Sequence, residues 1–304
     1  MRPASRIPAI AATVVLGLVA TDLAGAQAQQ PDVRPSDQVF KVVTRLVEVH
    51  ATVTQGKRRY VRGLAKENFR VYDNGAPQAI SVFESDESGF SSALLLDTTG
   101  SMKKALPTLK RAVLEFIDML RPVDSVAVYS FSTQLARLQP FTRDKSDVKR
   151  AVLKTRASGA TALFDSVYRV AQDLTLVEGK KALLVFTDGD DNSSVLNARS
   201  TIRRARLIGI PVFAAAQGQA LENKELLRQI YELAEATGGL AFEMKKSDHA
   251  RRIFGDISAS LRHSYLLGYR APQAEAAGWR TIRLEVNGVK RPRIRAKSGY
   301  QVSR

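Results

Sequence analysis

Cysteine is missing from this 304-residue chain, so disulfides, thiolate metal sites and cysteine nucleophiles are all excluded. Histidine is scarce: His50, His249 and His263 lie far apart in the sequence and match neither a metal-ligand spacing nor a catalytic triad. We interpret each of them as a surface histidine. A glycine-rich phosphate loop is also lacking. Together these absences argue against an enzyme, and we predict no catalytic residues.

Long apolar runs are missing too, apart from one near the N-terminus. Arg2 and Arg6 precede the apolar run 7–20, and residues 24–26 match an Ala-x-Ala cleavage site. This order is typical of a secretory signal peptide, so we predict cleavage after residue 26 and export to the periplasm or beyond. The alternative is an uncleaved anchor, although the run is short for a spanning helix. Residues 27–37 are polar and predict a disordered lead-in.

Acidic residues are outnumbered, because 46 Lys and Arg face 30 Asp and Glu, for a net charge of +16. Loss of residues 1–26 would remove two arginines and one aspartate, which lowers this charge by one. Such a charge favours acidic partners or an anionic envelope surface. Aromatic residues are not interleaved with the basic ones, which argues against nucleic-acid binding. The basic residues are concentrated in two clusters: Arg199, Arg203, Arg204 and Arg206, and then Arg280, Arg283, Lys290, Arg291, Arg293, Arg295, Lys297 and Arg304.

Both ends of the chain after the lead-in are rich in strand patterns. Apolar residues alternate with polar ones over 47–54 and again over 282–286. Asp73-Asn74-Gly75 predicts one hairpin, and Asn287-Gly288 predicts another that leads into 293–296. Neither end has enough strands for a core of its own. We therefore predict that residues 38–88 and 266–304 pack together as one small β-sandwich; the alternative is that each packs separately against the middle of the chain.

Residues 89–265 follow a different pattern, in which short apolar strands alternate with amphipathic helices. This pattern predicts an α/β fold with a doubly wound, mostly parallel sheet covered by helices on both faces. The predicted strands are 93–96, 126–131, 182–186, 211–215 and 240–243, and the predicted helices are 105–120, 163–176, 198–208, 224–236 and 248–261.

The most informative motif begins where the apolar run 94–96 stops at Asp97. Hydroxyls follow at Thr99 and Ser101, Thr161 precedes a predicted helix, and Asp188 ends a second apolar strand. Because ligands of open α/β sheets bind at the carboxyl ends of the strands, we expect these side chains to meet there. A few carboxylates with several neutral hydroxyls make a hard oxygen site of low charge. Such a site suits Mg²⁺ or Mn²⁺, with Ca²⁺ as a further candidate.

In this order the motif resembles the metal-ion-dependent adhesion site of the von Willebrand factor A domain, and the resemblance covers about residues 90–265. It implies that Thr99 and Ser101 bind the metal directly and that Thr161 binds directly or through water. Asp97 and Asp188 would act largely through water, and a partner protein would complete the shell with an Asp or Glu carboxylate. The one departure is Thr99, where the family usually has Ser; the hydroxyl is kept.

The flanks resemble a narrower group, the VWFA-related family of exported bacterial proteins, at residues 61–71 and 264–269. The combined resemblance implies an exported, divalent-metal-dependent adhesion module of the Rossmann-like class. The alternative function is a metal-independent envelope scaffold that binds acidic partners through its basic surface.

Other interpretations of the motif stay open at this point. Asp190, Asp191 and Asn192 hold a second cation, tune the first one or form a solvated loop. A phosphatase of the haloacid dehalogenase type would need a second carboxylate where Thr99 stands, so its general acid is lacking. An A domain that folds without binding metal is a further alternative.

Overall fold

The structure is a computed structural model that describes residues 46–56, 59–85, 87–188, 191–245, 249–272 and 277–302. The predicted signal peptide, the lead-in and residues 38–45 lie outside the described residues. Within those ranges, no helix combines the length and the hydropathy that a bilayer crossing requires.

In chain order the strands are β1 (Leu46–Gln55), β2 (Arg59–Tyr60), β3 (Phe69–Asp73), β4 (Ala76–Gln78), β5 (Ile80–Glu84), β6 (Ser91–Asp97), β7 (Ser125–Phe131), β8 (Leu135–Thr142), β9 (Lys181–Thr187), β10 (Val212–Ala216), β11 (Ala241–Glu243), β12 (Ser264–Arg270), β13 (Gly278–Val286), β14 (Pro292–Arg295) and β15 (Gly299–Val302). The helices are α1 (Leu106–Met119), α2 (Lys145–Lys154), α3 (Leu163–Leu174), α4 (Ala198–Ile208), α5 (Lys224–Thr237) and α6 (His249–Arg262).

The middle of the chain forms a doubly wound sheet whose strand order, over the described residues, is β11-β10-β9-β6-β7-β8. All neighbours are parallel except β7 and β8. Helices α1, α2 and α6 pack on one face, and α3, α4 and α5 pack on the other. Strands β6 and β9 are continuously apolar over 93–96 and 182–186 because both of their faces are buried there. The predicted fold class is confirmed.

Strand β8 and helix α2 are not among the predicted elements. Strand β8 lies at the sheet edge and is mostly half-exposed or exposed, and it contains Pro140. It therefore lacks both the apolar continuity of an inner strand and regular alternation. Helix α2 is short and polar, and Asp144 caps it by accepting a hydrogen bond from the backbone N–H of Ser146.

The two flanks build a β-sandwich, which confirms the predicted arrangement. In the described part of the chain, one sheet has the order β14-β1-β12-β5 with β2 beside β1, and the other has the order β15-β13-β3-β4. Strands β1 and β12 pair antiparallel along seven residues, which joins the start of the described chain to the segment after α6. Between the two sheets lies an apolar core drawn from both flanks, including Val49, Val71, Tyr265 and Leu267.

One of the two predicted hairpins forms. Asn74 and Gly75 both have positive φ, as a type I′ turn requires, and Asp73 pairs with Ala76 across β3 and β4. The hairpin predicted at Asn287-Gly288 does not form, so that prediction is wrong. Strand β13 pairs with β15 along 278–281 and with β3 along 282–286, whereas β14 lies in the other sheet and pairs with β1.

Two of the histidines that we predicted to lie at the surface are buried. One of them, His50, lies on β1, which is buried on both faces. Its apolar residues enter the sandwich core, while Glu48, His50 and Thr52 face the α/β unit. His50 is 5% exposed and His263 is 9% exposed, so neither is a surface residue. The side chain of His249 lies outside the described residues. In the sequence the polar face of β1 has the pattern of a solvated face. The α/β unit, which comes from a distant part of the chain, covers it.

Buried cations lie between the sandwich and the α/β unit. We call this region the junction and define it as Glu48, His50, Thr52, Lys180, Lys181 and Arg295. Lys180 is 2% exposed, and its Nζ donates to the carbonyl oxygens of Ser85 at 2.9 Å and Ser264 at 3.3 Å. Lys181 pairs with Glu48 at 2.7 Å. The Arg295 guanidinium donates to the carbonyl of Gly238 and to hydroxyls of Thr52 and Ser260. These partners offset the desolvation of the charges.

A second polar cluster lies inside the sandwich, around the fully buried carboxylate of Asp73. Its Oδ2 accepts hydrogen bonds from the hydroxyls of Tyr269 at 2.9 Å and Tyr300 at 2.7 Å, and its Oδ1 accepts one from Arg280 Nε at 2.6 Å. Burial, followed by the Asp73 carboxylate, raises the pKa of Tyr300 to about 12. Arg280 and Arg295 are therefore structural residues, although the sequence places them in a basic cluster.

We predict that His50 makes the stability of the protein depend on pH. Burial, followed by Lys181, Lys297 and Lys180, lowers the pKa of His50 to about 3 in the folded state, against 6.5 when it is unfolded. The unfolded chain therefore binds a proton first as the pH falls, and stability that is complete above pH 6.5 is lost towards pH 3. Between pH 7 and pH 5 the wild type should lose about 2 kcal/mol relative to His50→Gln. Urea denaturation at each pH measures this, and a constant difference between the two proteins would contradict it.

We predict that Asp73→Ala destabilises the protein by about 3–5 kcal/mol, because it leaves Arg280 and two buried hydroxyls without their acceptor. A matched control is Asp118→Ala, which removes the exposed ion pair with Lys149 and should cost less than about 1 kcal/mol. Urea denaturation compares the two variants. Equal losses in both would show that the buried cluster contributes no more than a surface pair.

Candidate functional site

Asp97 is the last residue of β6, and both of its oxygens accept hydrogen bonds inside the protein. Oδ1 accepts from the backbone N–H of Thr99 at 3.0 Å and from its hydroxyl at 2.7 Å, and Oδ2 accepts from the Thr187 hydroxyl at 2.7 Å. Asp97 is fully buried. Thr187 is not among the predicted site residues, although its position before Asp188 at the end of an apolar strand is the signal that indicates it.

A chain of short contacts continues from Asp97 to Asp188. The Thr99 and Ser101 hydroxyl oxygens lie 2.9 Å apart, and Ser101 donates to Asp188 Oδ1 at 2.9 Å. The structure thus brings together four of the five predicted residues. A hydroxyl has one proton. If Thr99 donates to Asp97 and Ser101 donates to Asp188, both hydroxyl oxygens present lone pairs to the same space.

Thr161, the fifth predicted residue, joins the others through the backbone of its loop. Its N–H donates to Asn192 Oδ1 at 2.9 Å, and its carbonyl accepts from the N–H groups of Asn192 at 3.1 Å and Ser193 at 2.9 Å. The Thr161 side chain is 4% exposed. The segment after β9 therefore holds Thr161 in place.

The loop that carries Thr161 lies against the loop that follows Asp97. The backbone N–H of Ser158 donates to Thr98 O at 2.7 Å, and the N–H of Gly100 donates to Gly159 O at 3.0 Å. Gly159 has a φ of 81°, and a Cβ there would lie 2.8 Å from Thr133 Oγ1. The positive φ and the crowding against Thr133, which follows β7, therefore favour glycine at position 159.

Asp191 and Asn192 support the site rather than forming a second one. Asp191 accepts hydrogen bonds from the N–H of Phe164 at 2.7 Å and the Ser194 hydroxyl at 2.6 Å, so it caps the start of α3. The side-chain oxygen of Asn192 accepts hydrogen bonds from the backbone N–H of Thr161 and from the Ser193 hydroxyl. Asp190 lies outside the described residues.

The electrostatics of the site are those of two desolvated carboxylates. Burial raises the pKa of Asp97, and hydrogen bonds from Thr99 and Thr187 oppose that effect. Burial also raises the pKa of Asp188 to about 6; the Ser101 hydrogen bond opposes this shift and the charge of Asp97 adds to it. Two carboxylates that share a buried site repel each other, and a cation between them would offset the repulsion.

The oxygen atoms of the site suit a hard divalent cation that does not need many carboxylate ligands. Among the described residues, no three His, Asp or Glu side chains are grouped so as to hold a metal. The site instead offers two carboxylates with neutral hydroxyls, all of them oxygen donors. Oxygen donors of this kind match Mg²⁺ and Ca²⁺, and they do not match soft metals.

Comparisons with known proteins agree with this geometry. Residues 93–256 match the family model described as the von Willebrand factor type A domain. Bovine (Bos taurus) inter-alpha-trypsin inhibitor heavy chain H4 is 27% identical over a segment that covers 45% of this chain and 18% of the relative. The chain therefore spans about a fifth of the length of that curated relative.

Two solved structures share the fold. A von Willebrand factor type A structure from Catenulispora acidiphila has a TM-score of 0.51 at 13% identity and covers 86% of this chain and 74% of its own. Proximal thread matrix protein 1 from the mussel byssus has a TM-score of 0.50 at 18% identity and covers 64% of this chain and 51% of its own. Identities this low indicate a shared fold and nothing further.

The segment that the family model matches makes up more than half of the chain, and it contains most of β6, all of β7 to β11 and the loops of Asp97, Thr161 and Asp188. The resemblance expected from the motif is confirmed. This chain belongs to the von Willebrand factor type A domain family.

Proposed function

We propose that this protein is an exported interaction module that binds Mg²⁺ at Asp97, Thr99, Ser101, Thr161 and Asp188 and thereby holds a carboxylate of a partner protein. Domains of this family are often metal-dependent adhesion or protein-interaction modules. The observation that carries the proposal is the continuous contact chain from Asp97 through Thr99 and Ser101 to Asp188.

The chain's own residues explain how such a site would work. Asp97 and Asp188 accept the protons of the Thr99 and Ser101 hydroxyls, and this orients the hydroxyl lone pairs towards a common point. Thr99, Ser101 and Thr161 would hold the ion through their hydroxyl oxygens, and Asp97 and Asp188 would act largely through water. When bound, the cation supplies an open coordination position for an anionic oxygen. Few carboxylates would ligate it directly, so it would keep much of its charge for the partner.

A binding role is favoured over hydrolysis because, among the described residues, no histidine faces the site, and its two carboxylates already accept hydrogen bonds from Thr99, Thr187 and Ser101. His50 belongs to the junction at the start of β9, whereas Asp188 follows the end of β9, so about 20 Å of strand separates them. Thr99 stands where a phosphatase would need a second acid. We therefore propose that the protein is not an enzyme.

The alternative scaffold function requires basic side chains that are available to a partner. Several basic side chains of the protein instead make contacts within it. Arg295 crosses the junction, Arg280 pairs with Asp73, and Arg206 lies over the ring of Trp279 at 4.1 Å. Less of the positive charge is therefore available to an anionic surface than the sequence alone indicates. Binding that responds to salt and not to chelator would favour this alternative.

Export and the domain boundaries are proposals that rest on the sequence. The signal peptide, 1–26, lies outside the described residues. We propose that residues 89–265 form the A domain and that 38–88 and 266–304 form the sandwich beside it.

Metal binding should depend on the Thr99 hydroxyl and not on its methyl group. We predict that Thr99→Val, which keeps the shape, weakens Mg²⁺ binding at least about tenfold, whereas Thr99→Ser, which keeps the hydroxyl, binds as the wild type does. Calorimetric titration measures the affinity. Thermal melting provides a second readout, because saturation at 100 times Kd adds about 2.7 kcal/mol of stability. A wild type that shows neither heat nor thermal stabilisation, or a Thr99→Val that binds normally, would contradict the proposal.

We predict that Asp188→Asn reverses its effect on stability when metal is added. In chelator at neutral pH the variant should be more stable than the wild type, on the order of 1 kcal/mol, because it removes a desolvated charge beside Asp97 and still accepts from Ser101. With saturating Mg²⁺ the wild type should become the more stable protein. Melting curves of both proteins in each condition test this, with Asp118→Asn as an exposed control. A variant that is less stable in both conditions would show that the carboxylates are not in conflict.

A further inference from the structure

A groove leads away from the candidate site between helix α3 and the edge strand β8. Its first part has a volume of about 710 Å³, and Thr133, Ala162 and Ser193 line it beside the site. A second part, of about 550 Å³, continues towards α4. The two parts share Asp165, Arg169, Asp173 and Val195, so they meet along α3.

The acidic side chains of the groove are turned towards the protein. The Asp165 carboxylate accepts hydrogen bonds from the backbone N–H groups of Val195 at 2.8 Å and Leu196 at 2.9 Å. The Asp173 carboxylate accepts one from the Tyr129 hydroxyl at 3.1 Å. These interactions leave the acids less available to anything that enters the groove.

The basic side chains of the groove are more exposed than its acids. Arg137 and Arg169 are exposed, although Arg137 also interacts with the Tyr129 hydroxyl, and Arg204 lies over the ring of Tyr168 at 5.0 Å. Arg169 makes no hydrogen bond or ion pair with any residue that the structure describes. The groove therefore presents an unpaired guanidinium, which suits a carboxylate. Val195, 93% exposed, adds an apolar contact at the same point.

We propose that this groove binds a second acidic residue of the partner, so that the partner segment is an extended acidic peptide rather than a single carboxylate. The inference rests on the proposed function. Arg169 lies seven residues along α3 from Ala162, which is about 10 Å of helix. A chain in the polyproline II conformation covers about 9 Å in three residues, and because it has three residues per turn, side chains three positions apart lie on the same face. One acid would enter the candidate site, and the other, about three positions away, would pair with Arg169.

The edge of β8 favours recognition by side chains over the addition of a strand. Pro140 lies in the middle of this strand and is exposed, and it has no N–H to offer a partner backbone. Paired charges then set the register of the peptide in the groove.

The test uses three synthetic glycine–serine peptides: one with a single glutamate, one with two glutamates three positions apart, and one with two glutamates nine positions apart. Each is titrated into the purified protein by NMR, in Mg²⁺ and in chelator. On the wild type the close pair should bind about three- to fivefold more tightly than the other two peptides. Arg169→Gln should remove this gain. The matched control is Arg111→Gln, because Arg111 is exposed on α1, on the opposite face of the sheet, and the gain should persist there.

Each outcome decides between the two proposals. If the single-glutamate peptide binds in Mg²⁺ and not in chelator, but the close pair adds nothing, the groove inference is wrong and the proposed function stands. If the gain from the close pair depends on Arg169 and is the same in chelator, the groove binds acids and the metal site is overturned. An equal loss in Arg111→Gln overturns the groove, because the gain would then reflect net charge alone. No binding by any peptide overturns both.

Discussion

The buried carboxylate of Asp97 is the constraint on which the candidate site depends. A charge at the end of a core strand is tolerated only if its oxygens are hydrogen-bonded, and here Thr99 and Thr187 supply those bonds. The same bonds fold the next loop back on the strand and join β6 to β9. Ser101 and Asp188 extend the arrangement, so that the requirement to satisfy one buried charge also positions the hydroxyls that we propose as ligands.

Strand β9 connects this site to the opposite end of the molecule. It begins at Lys181, next to Lys180, and it ends at Thr187, next to Asp188. The Lys180 cation is buried against carbonyl oxygens, and the Lys181 cation pairs with Glu48 of the sandwich. The sandwich lies against the amino end of β9, and the candidate site lies at the carboxyl ends of β6 and β9. The two polar clusters therefore have different roles: one holds the sandwich in place, and the other forms the site that we propose binds a partner.

Helix α3 unites the proposed site and the groove. Asp191 caps its first turn, and Asn192 holds the Thr161 loop just before it, while Arg169 stands two turns further along. A short, capped helix is a rigid element. The separation between the proposed metal site and the Arg169 guanidinium is therefore set by the geometry of the helix, which is why we propose a spacing for the acids of a partner.

Local patterns in the sequence determined the α/β class, the sandwich-forming flanks and the motif from Asp97 to Asp188, because strand and helix periods and short motifs are properties of neighbouring residues. The tertiary structure alone decided the burial of His50, the sheet that β14 joins and the availability of Arg169. Each of these depends on residues far away in the chain: Lys181 beside His50, β1 beside β14, and the segment after β9 that occupies Asp165. Such long-range contacts leave no periodic signal in the strand or helix that receives them.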